Sequence, residues 1–254
     1  MEIIDAHTHL CHPGECLGNS LWPTFQARLD VLREAGVSRA LACRGEPVHD
    51  CSYDSLLERN QRIAASCEAS DGLYIPSAEI QPALGEPACE LLRRCRDELG
   101  MRFVGEMFDR WLGYQWGTRD YHRLLECAVQ LRMVPLIHCE DDVAREIGER
   151  YPEGRFIIAH LMGGYENRVE AILPYPHLYL DISGSDIARA GAIKHAVSQL
   201  GSRRALFGSD LGAVDPVIAV ECVRRCGLDE EVQSAVFGGN FRALWRWTEG
   251  QDDA

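Results

Sequence analysis

Six side chains in this 254-residue chain are of types that bind divalent metal ions and recur at telling places: His7, His9, Glu106, His138, His160 and Asp210. Imidazole and carboxylate suit Zn²⁺, Mn²⁺, Fe²⁺ or Ni²⁺. His7 and His9 flank one threonine, and on an extended strand residues i and i+2 point to the same side. Both imidazoles can then reach one ion. Each residue alone has a plainer explanation. A histidine is commonly a hydrogen-bonded core residue, Asp210 can cap a helix, and Glu106 can sit in a salt bridge. What singles the six out is that each ends, or directly follows, a segment that reads as a β-strand.

Those segments are short β-branched or apolar runs, each followed by a longer stretch of helical periodicity. The runs are Ile3–Ala6, Arg39–Cys43, Leu73–Ala78 and Phe103–Glu106, then Val134–His138, Phe156–His160, Leu178–Ile182 and Ala205–Gly208. Helical periodicity fills the intervals, and Val217–Cys226 and Glu230–Trp247 close the chain. Eight strand–helix units predict a parallel sheet closed as a (β/α)8 TIM barrel, a single α/β domain over 1–248 with a frayed tail at 249–254. An open doubly wound sheet is the competing architecture. It usually carries a glycine-rich phosphate loop after strand one, whereas His-Thr-His-Leu-Cys-His-Pro stands there. In a barrel the C-terminal ends of all strands meet at one mouth, so side chains spread along the whole sequence converge.

The motifs His7-Thr8-His9, Pro135-Leu136-Ile137-His138, Ala159-His160-Leu161-Met162-Gly163-Gly164 and Phe207-Gly208-Ser209-Asp210, with the closing Gly238-Gly239-Asn240-Phe241-Arg242, resemble the amidohydrolase superfamily. The amidohydrolase-2 branch of metal-dependent TIM-barrel hydrolases and decarboxylases is the best match, over essentially the whole chain. The resemblance implies that His7, His9, His138 and Asp210 hold a metal. It also implies that His160 binds a second metal or polarises the substrate, and that Asp210 takes a proton from the attacking water. Many two-metal members carry a carboxylated lysine after strand four. Glu106 stands there instead and can bridge two ions, as in TatD-like metal hydrolases, or support one ion from outside.

A bound divalent cation acidifies its water towards a pKa of ~7. Asp210 can then move the proton, and the cation or His160 can stabilise an oxyanion. The expected reaction is hydrolysis of an amide, lactone or ester bond. The same ligands also serve a non-oxidative decarboxylase of a small aromatic or unsaturated acid. A non-catalytic metal-binding barrel is disfavoured by the carboxylate of Asp210. Zinc is the first choice of cofactor, with manganese, iron or nickel as alternatives and one or two ions. Substrate selection falls to the mouth loops. Arg44 and Arg110 are placed to meet an anion, unless salt bridges occupy them. Trp111, with Tyr114 and Trp116, can form an apolar wall or simply pack its loop down. His12, His49, Glu79, Cys139 and Glu140 are further candidates, although Cys139 lacks a base partner and does not read as a nucleophile.

The chain has 26 basic and 39 acidic residues, a formal net charge of −13. Such a surface repels phosphate backbones and anionic lipids, so the expected partner is a small molecule rather than nucleic acid or membrane. A homo-oligomer stays open. The opening residues lack a basic, apolar leader, and no apolar run reaches the ~18 residues of a membrane span. The eleven cysteines include no Cys-x-x-Cys pair and are read as reduced, buried thiols in a cytoplasmic protein.

Overall fold

The computed structural model describes the chain except residues 19, 46, 114, 163, 190 and 252–254, and the side chains of Trp111 and Leu112 lie outside the described set as well. The expectations for Trp111 and Tyr114 therefore fall outside the described residues.

Eight parallel strands neighbour one another in chain order. They are β1 (Ile4–His9), β2 (Arg39–Cys43), β3 (Tyr74–Ala78), β4 (Phe103–Phe108), β5 (Val134–His138), β6 (Phe156–Ile158), β7 (Leu178–Asp181) and β8 (Ala205–Leu206). Bonds from Ala6 N to Phe207 O (2.8 Å) and from His9 N to Leu211 O (3.0 Å) join the last strand region to the first. The sheet thereby closes as the predicted barrel. The helices are α1 (Phe25–Glu34), α2 (Tyr53–Glu68), α3 (Glu86–Glu98), a short α4 (Asp109–Leu112), α5 (Arg119–Gln130) and α6 (Asp141–Arg150). After them come α7 (Tyr165–Ile172), α8 (Ala192–Leu200), α9 (Pro216–Arg225), α10 (Glu230–Ser234) and α11 (Asn240–Thr248). None of the described helices is long and apolar enough to cross a membrane.

Two apolar clusters hold this frame. The larger lies between strands and helices, with Leu32, Leu56, Leu91, Leu125 and Ile147 fully or nearly fully buried. The smaller fills the barrel interior with Ile4, Leu41, Ile75, Phe103, Val134 and Leu206. Phe241, Leu244 and Trp247 of α11 join it, and Phe241 stacks on Phe103 with ring centroids 4.8 Å apart. The last helix thus plugs the end of the barrel opposite the mouth. Burying apolar side chains of this size stabilises by roughly 1.5–3 kcal/mol each.

Two departures from strict alternation shape the mouth. Ile4 and Ala6 face the inner cluster, yet His7, the very next residue, also faces inward. The β1–β2 register shifts between Asp5 and Thr8. In β4, Phe103 is interior, Val104 packs outward, and Glu106 is interior again, with a register shift between Val104 and Met107. A bulge of this kind re-aims the side chains after it. It turns His7 and Glu106 towards each other.

The cysteines require a correction. Cys89 of α3 and Cys127 of α5 form a disulfide with Cα atoms 5.8 Å apart, leaving nine free thiols. The premise that every cysteine is reduced therefore fails. The pair is 38 residues apart on neighbouring helices, a proximity that periodicity alone does not encode. Cross-linking a loop of that length stabilises by roughly 3–4 kcal/mol in the chain-entropy account. Cys127→Ser is expected to lower the thermal midpoint by several degrees, and alkylation of the unfolded wild type without reductant to label nine thiols. Eleven labelled thiols, with no loss of stability in the variant, would contradict the link.

Candidate metal centre

Glu106 is the hub of the mouth. Its Oε2 lies 3.4 Å from His7 Nε2 and 3.7 Å from His9 Nε2. Its Oε1 lies 2.9 Å from His138 Nδ1 and 3.5 Å from His160 Nε2. Asp210 Oδ1 is 3.0 Å from His9 Nε2. The strand-end reading thus brings all six predicted residues together. They form two donor triads, His7/His9/Asp210 and Glu106/His138/His160, each with its candidate ligand atoms within 4.8 Å of one another.

The donor set fits a divalent cation on two counts. Nitrogen and carboxylate oxygen are ligands of borderline metals. In addition, His7 Nε2 and Glu106 Oε2 are buried, face each other at 3.4 Å, and among the described residues make no well-formed hydrogen bond. Orphaned buried polar atoms are rare and need an explanation, and an ion between them is one.

Behind the six lies a layer that sequence reasoning missed. Asp181, at the end of β7, accepts a bond from His7 Nδ1 at 2.8 Å. The same Oδ2 receives the Ser183 hydroxyl at 2.5 Å, and Oδ1 receives Ser183 N at 2.9 Å. Since the hydroxyl hydrogen goes to the carboxylate, Ser183 Oγ can only accept from His160 Nδ1, 2.9 Å away. One carboxylate therefore anchors Nδ1 of two histidines, so that Nε2 of each is the nitrogen turned to the site and would supply the lone pair to a cation that displaces its proton. A third possible donor group, His7/His160/Asp181, is better described as this orienting chain. The available signal was a carboxylate at a strand end in Leu178-Tyr179-Leu180-Asp181. Gly208 makes the arrangement possible: a Cβ there would lie 2.2 Å from Asp181 Oδ1 and 3.1 Å from His7 Cβ. Gly45 does the same for His9, whose Nδ1 would be 2.3 Å from an added Cβ.

Electrostatics and backbone strain both concentrate here. Burial disfavours the charged form of His7, but Glu106 and Asp181 outweigh it and hold the imidazole well above its ordinary pKa. Burial likewise opposes ionisation of Glu106, and the surrounding histidines overcome it, keeping the carboxyl well below its usual range. Asp210 is also lowered despite burial, chiefly by its bond to His9. Deeper in the barrel, burial pushes Asp5 up to about 7. His160 and Asp210 adopt left-handed backbone (φ 64° and 60°), which is uncommon outside glycine and clusters at functional sites. Asp210 is held there by its N–H bond to His7 O (2.8 Å) and by accepting from Ala213 N (2.9 Å).

A cavity of about 620 Å³ opens onto the centre, bounded by His9, His138, His160, Asp210, Leu10 and Leu17, among others. Arg44 lines it as expected, but its guanidinium is matched by Glu15 at 3.0 Å. Arg110 does not reach it: the side chain is exposed and lies over the Phe108 ring, 6.0 Å from its centroid. Trp116 packs edge-on against Tyr121 at 5.0 Å, holding its loop down. His12 bonds Ser66 (2.7 Å), Glu79 bonds Arg59 (2.6 Å), and His49 and Glu140 are exposed. Burial pushes the Cys139 thiol up to about 12, consistent with its dismissal as a nucleophile. Arg28, on α1, also lines the cavity and was not anticipated.

A sequence profile of the amidohydrolase family matches residues 4–247. The chain belongs to that family. No curated protein matches this amidohydrolase by sequence. Among solved structures it is similar in fold to 2,6-dihydroxybenzoate decarboxylase from Rhizobium, at 15% identity and a TM-score of 0.77, over 97% of this chain and 99% of the other. Dihydroxybenzoic acid decarboxylase from a Polaromonas species, solved with manganese and 2-nitroresorcinol, gives 16% identity, a TM-score of 0.78 and coverage of 96% and 97%. A probable 2-pyrone-4,6-dicarboxylic acid hydrolase from Acinetobacter baumannii, with citric acid bound, gives 14%, 0.70, and 96% and 99%. At these identities the likeness establishes the shared barrel for the amidohydrolase and leaves its own reaction to be argued from the site.

Proposed function

We propose that this amidohydrolase is a divalent-metal-dependent hydrolase that uses water to cleave an amide, lactone or ester bond in a small anionic substrate. The observation that carries the reading is the place of Glu106, whose two oxygens face different donor triads. That arrangement suits a carboxylate shared between two ions. Zinc is the cation we propose, and manganese, bound in the Polaromonas neighbour, is the alternative. When bound, such a cation supplies Lewis-acid chemistry, acidifying water and polarising a substrate oxygen.

In this reading, His7, His9 and Asp210 hold one side of the centre, and Glu106, His138 and His160 the other. Asp210, ionised at neutral pH, accepts the proton of the attacking water and returns it to the leaving group. His160 donates through Nδ1 to Ser183, so its Nε2 offers a lone pair rather than a proton. It acts as a ligand, not as a hydrogen-bond donor to an oxyanion. His9, Glu106, His138, His160 and Asp210 of the two triads line the cavity together with Leu10 and Leu17.

A second reading, non-oxidative decarboxylation of a small aromatic acid, is favoured by the names of the Rhizobium and Polaromonas neighbours. Zinc- and manganese-loaded protein, offered a panel of lactones, esters and amides beside hydroxybenzoates, separates the two. The hydrolase reading expects turnover on the first group with uptake of water. Carbon dioxide release from the second group, with no hydrolysis of the first, would replace it by the decarboxylase.

A further inference from the structure

Arg28 is 3% exposed, yet it lines the cavity above the metal-centre residues. Its Nε donates to Trp22 O at 3.1 Å, Nη1 donates to the His9 carbonyl, and Nη2 approaches Ser20 Oγ at 3.5 Å. A guanidinium carries five N–H donors, so two remain after these three contacts. None of its partners is charged, and among the described residues no carboxylate lies within 4.0 Å of it. Arg44 lines the same cavity and adds like charge. Arg44 in turn shares its Glu15 with Arg62, which reaches the same carboxylate at 2.6 Å. Among the described residues, Arg28 thus stands in the cavity wall as a buried cation with no carboxylate beside it.

Buried charges in proteins are normally paired, because an uncompensated one is expensive. Arginine in particular presents a fork that matches a carboxylate with two parallel bonds. We propose that Arg28 receives a carboxylate of the substrate, and so selects for small organic acids that carry this group beside the bond or carbon that reacts. Leu10 and Leu17 line the same cavity and suit an apolar body between the two ends. The His9 carbonyl that Arg28 already holds keeps this anchor in register with the centre. Arg44 already has Glu15 as its carboxylate, and Arg110 does not line the cavity.

The inference rests on the reading of this cavity as the substrate site, but not on which reaction occurs there. It is tested by calorimetric binding to zinc-loaded protein, with benzoate and glutarate as probes and benzamide and glutaramide as uncharged counterparts. Wild type is expected to prefer each acid over its amide. Arg28→Gln is expected to reduce that preference by about 10- to 100-fold, the worth of a charge-assisted hydrogen bond, with zinc content unchanged. Arg28→Lys keeps the charge and can still serve the His9 carbonyl, so it covers the case in which the glutamine variant does not fold. It is expected to retain a preference reduced by roughly 3- to 10-fold, the fork being lost. A preference unchanged in either folded variant would overturn the proposal, because the acids would then be held by the metal alone. Absence of hydrolysis in the panel above would sink the hydrolase reading and leave this binding result standing.

Discussion

Asp210→Asn is expected to lower kcat by about 10²- to 10⁴-fold, the usual worth of general acid–base catalysis, while metal content stays close to wild type. The amide keeps an oxygen that can face a cation but cannot take up a proton at neutral pH. In the native site the carboxylate bonds His9 Nε2 at 3.0 Å, and that contact holds its pKa down. A carboxylate ionised at working pH is the form a base requires. Single-turnover rates on the best substrate of the hydrolysis panel, with metal measured on the same samples, decide the matter. A variant that keeps full turnover would remove Asp210 from proton transfer. One that loses its metal in proportion to its activity would make it a ligand only.

Asp181→Asn should cost about 10- to 100-fold in metal affinity, as is typical when the partner of a ligating histidine is changed. Asp181 accepts from His7 Nδ1 at 2.8 Å and from Ser183 Oγ at 2.5 Å, and Ser183 passes the constraint on to His160. An asparagine cannot accept on both oxygens. If its NH₂ faces His7, the proton moves to Nε2 and the ligand lone pair is lost. If its NH₂ faces Ser183, it opposes the N–H of that residue. Ser183→Ala should have a smaller effect, since it frees His160 but leaves His7 oriented. Competition with a chromogenic chelator reads the affinities. The ¹⁵N shifts of the imidazoles read the tautomers, which a merely structural role for Asp181 would not move. Unchanged tautomers together with wild-type affinity would show that the chain His160–Ser183–Asp181–His7 does not set the ligands.

Which parts of this site were legible in the sequence follows from how each part is encoded. His7, His9, Glu106, His138, His160 and Asp210 stand at strand ends, and barrel closure makes strand ends converge whatever the loops do. Their placement could be read before any coordinate. Asp181 obeys the same rule but lies inside an apolar run, where a carboxylate draws attention only once its histidine partner is known. Arg28 sits on α1 among alternating polar and apolar residues, where an arginine reads as part of a solvated helix face. Its burial depends on the loop folding over it. The bulges in β1 and β4 carry no local signature, since each arises from a shift in register against the neighbouring strand.

Helix boundaries show the same division. The helical periodicity that fills the interval between β7 and β8 reads as one helix, but Gly191 in left-handed backbone (φ 82°) separates a 3-10 turn at Ser185–Ala188 from α8. The stretch from Glu230 to Trp247 also looked continuous. A π-turn at Ala235–Gly239 divides it, and there Phe207 N bonds Val236 O at 2.9 Å. Tertiary contact reshaped both elements after local propensity had specified helix.

The most direct measurement is an anomalous difference map at the zinc absorption edge, from crystals of zinc-reconstituted protein. Strong peaks should appear within bonding distance of His7 and His9 on one side of Glu106, and of His138 and His160 on the other, with one carboxylate oxygen turned to each. A map without a peak among these residues, with His7 Nε2 and Glu106 Oε2 satisfied by each other or by water, would contradict the account.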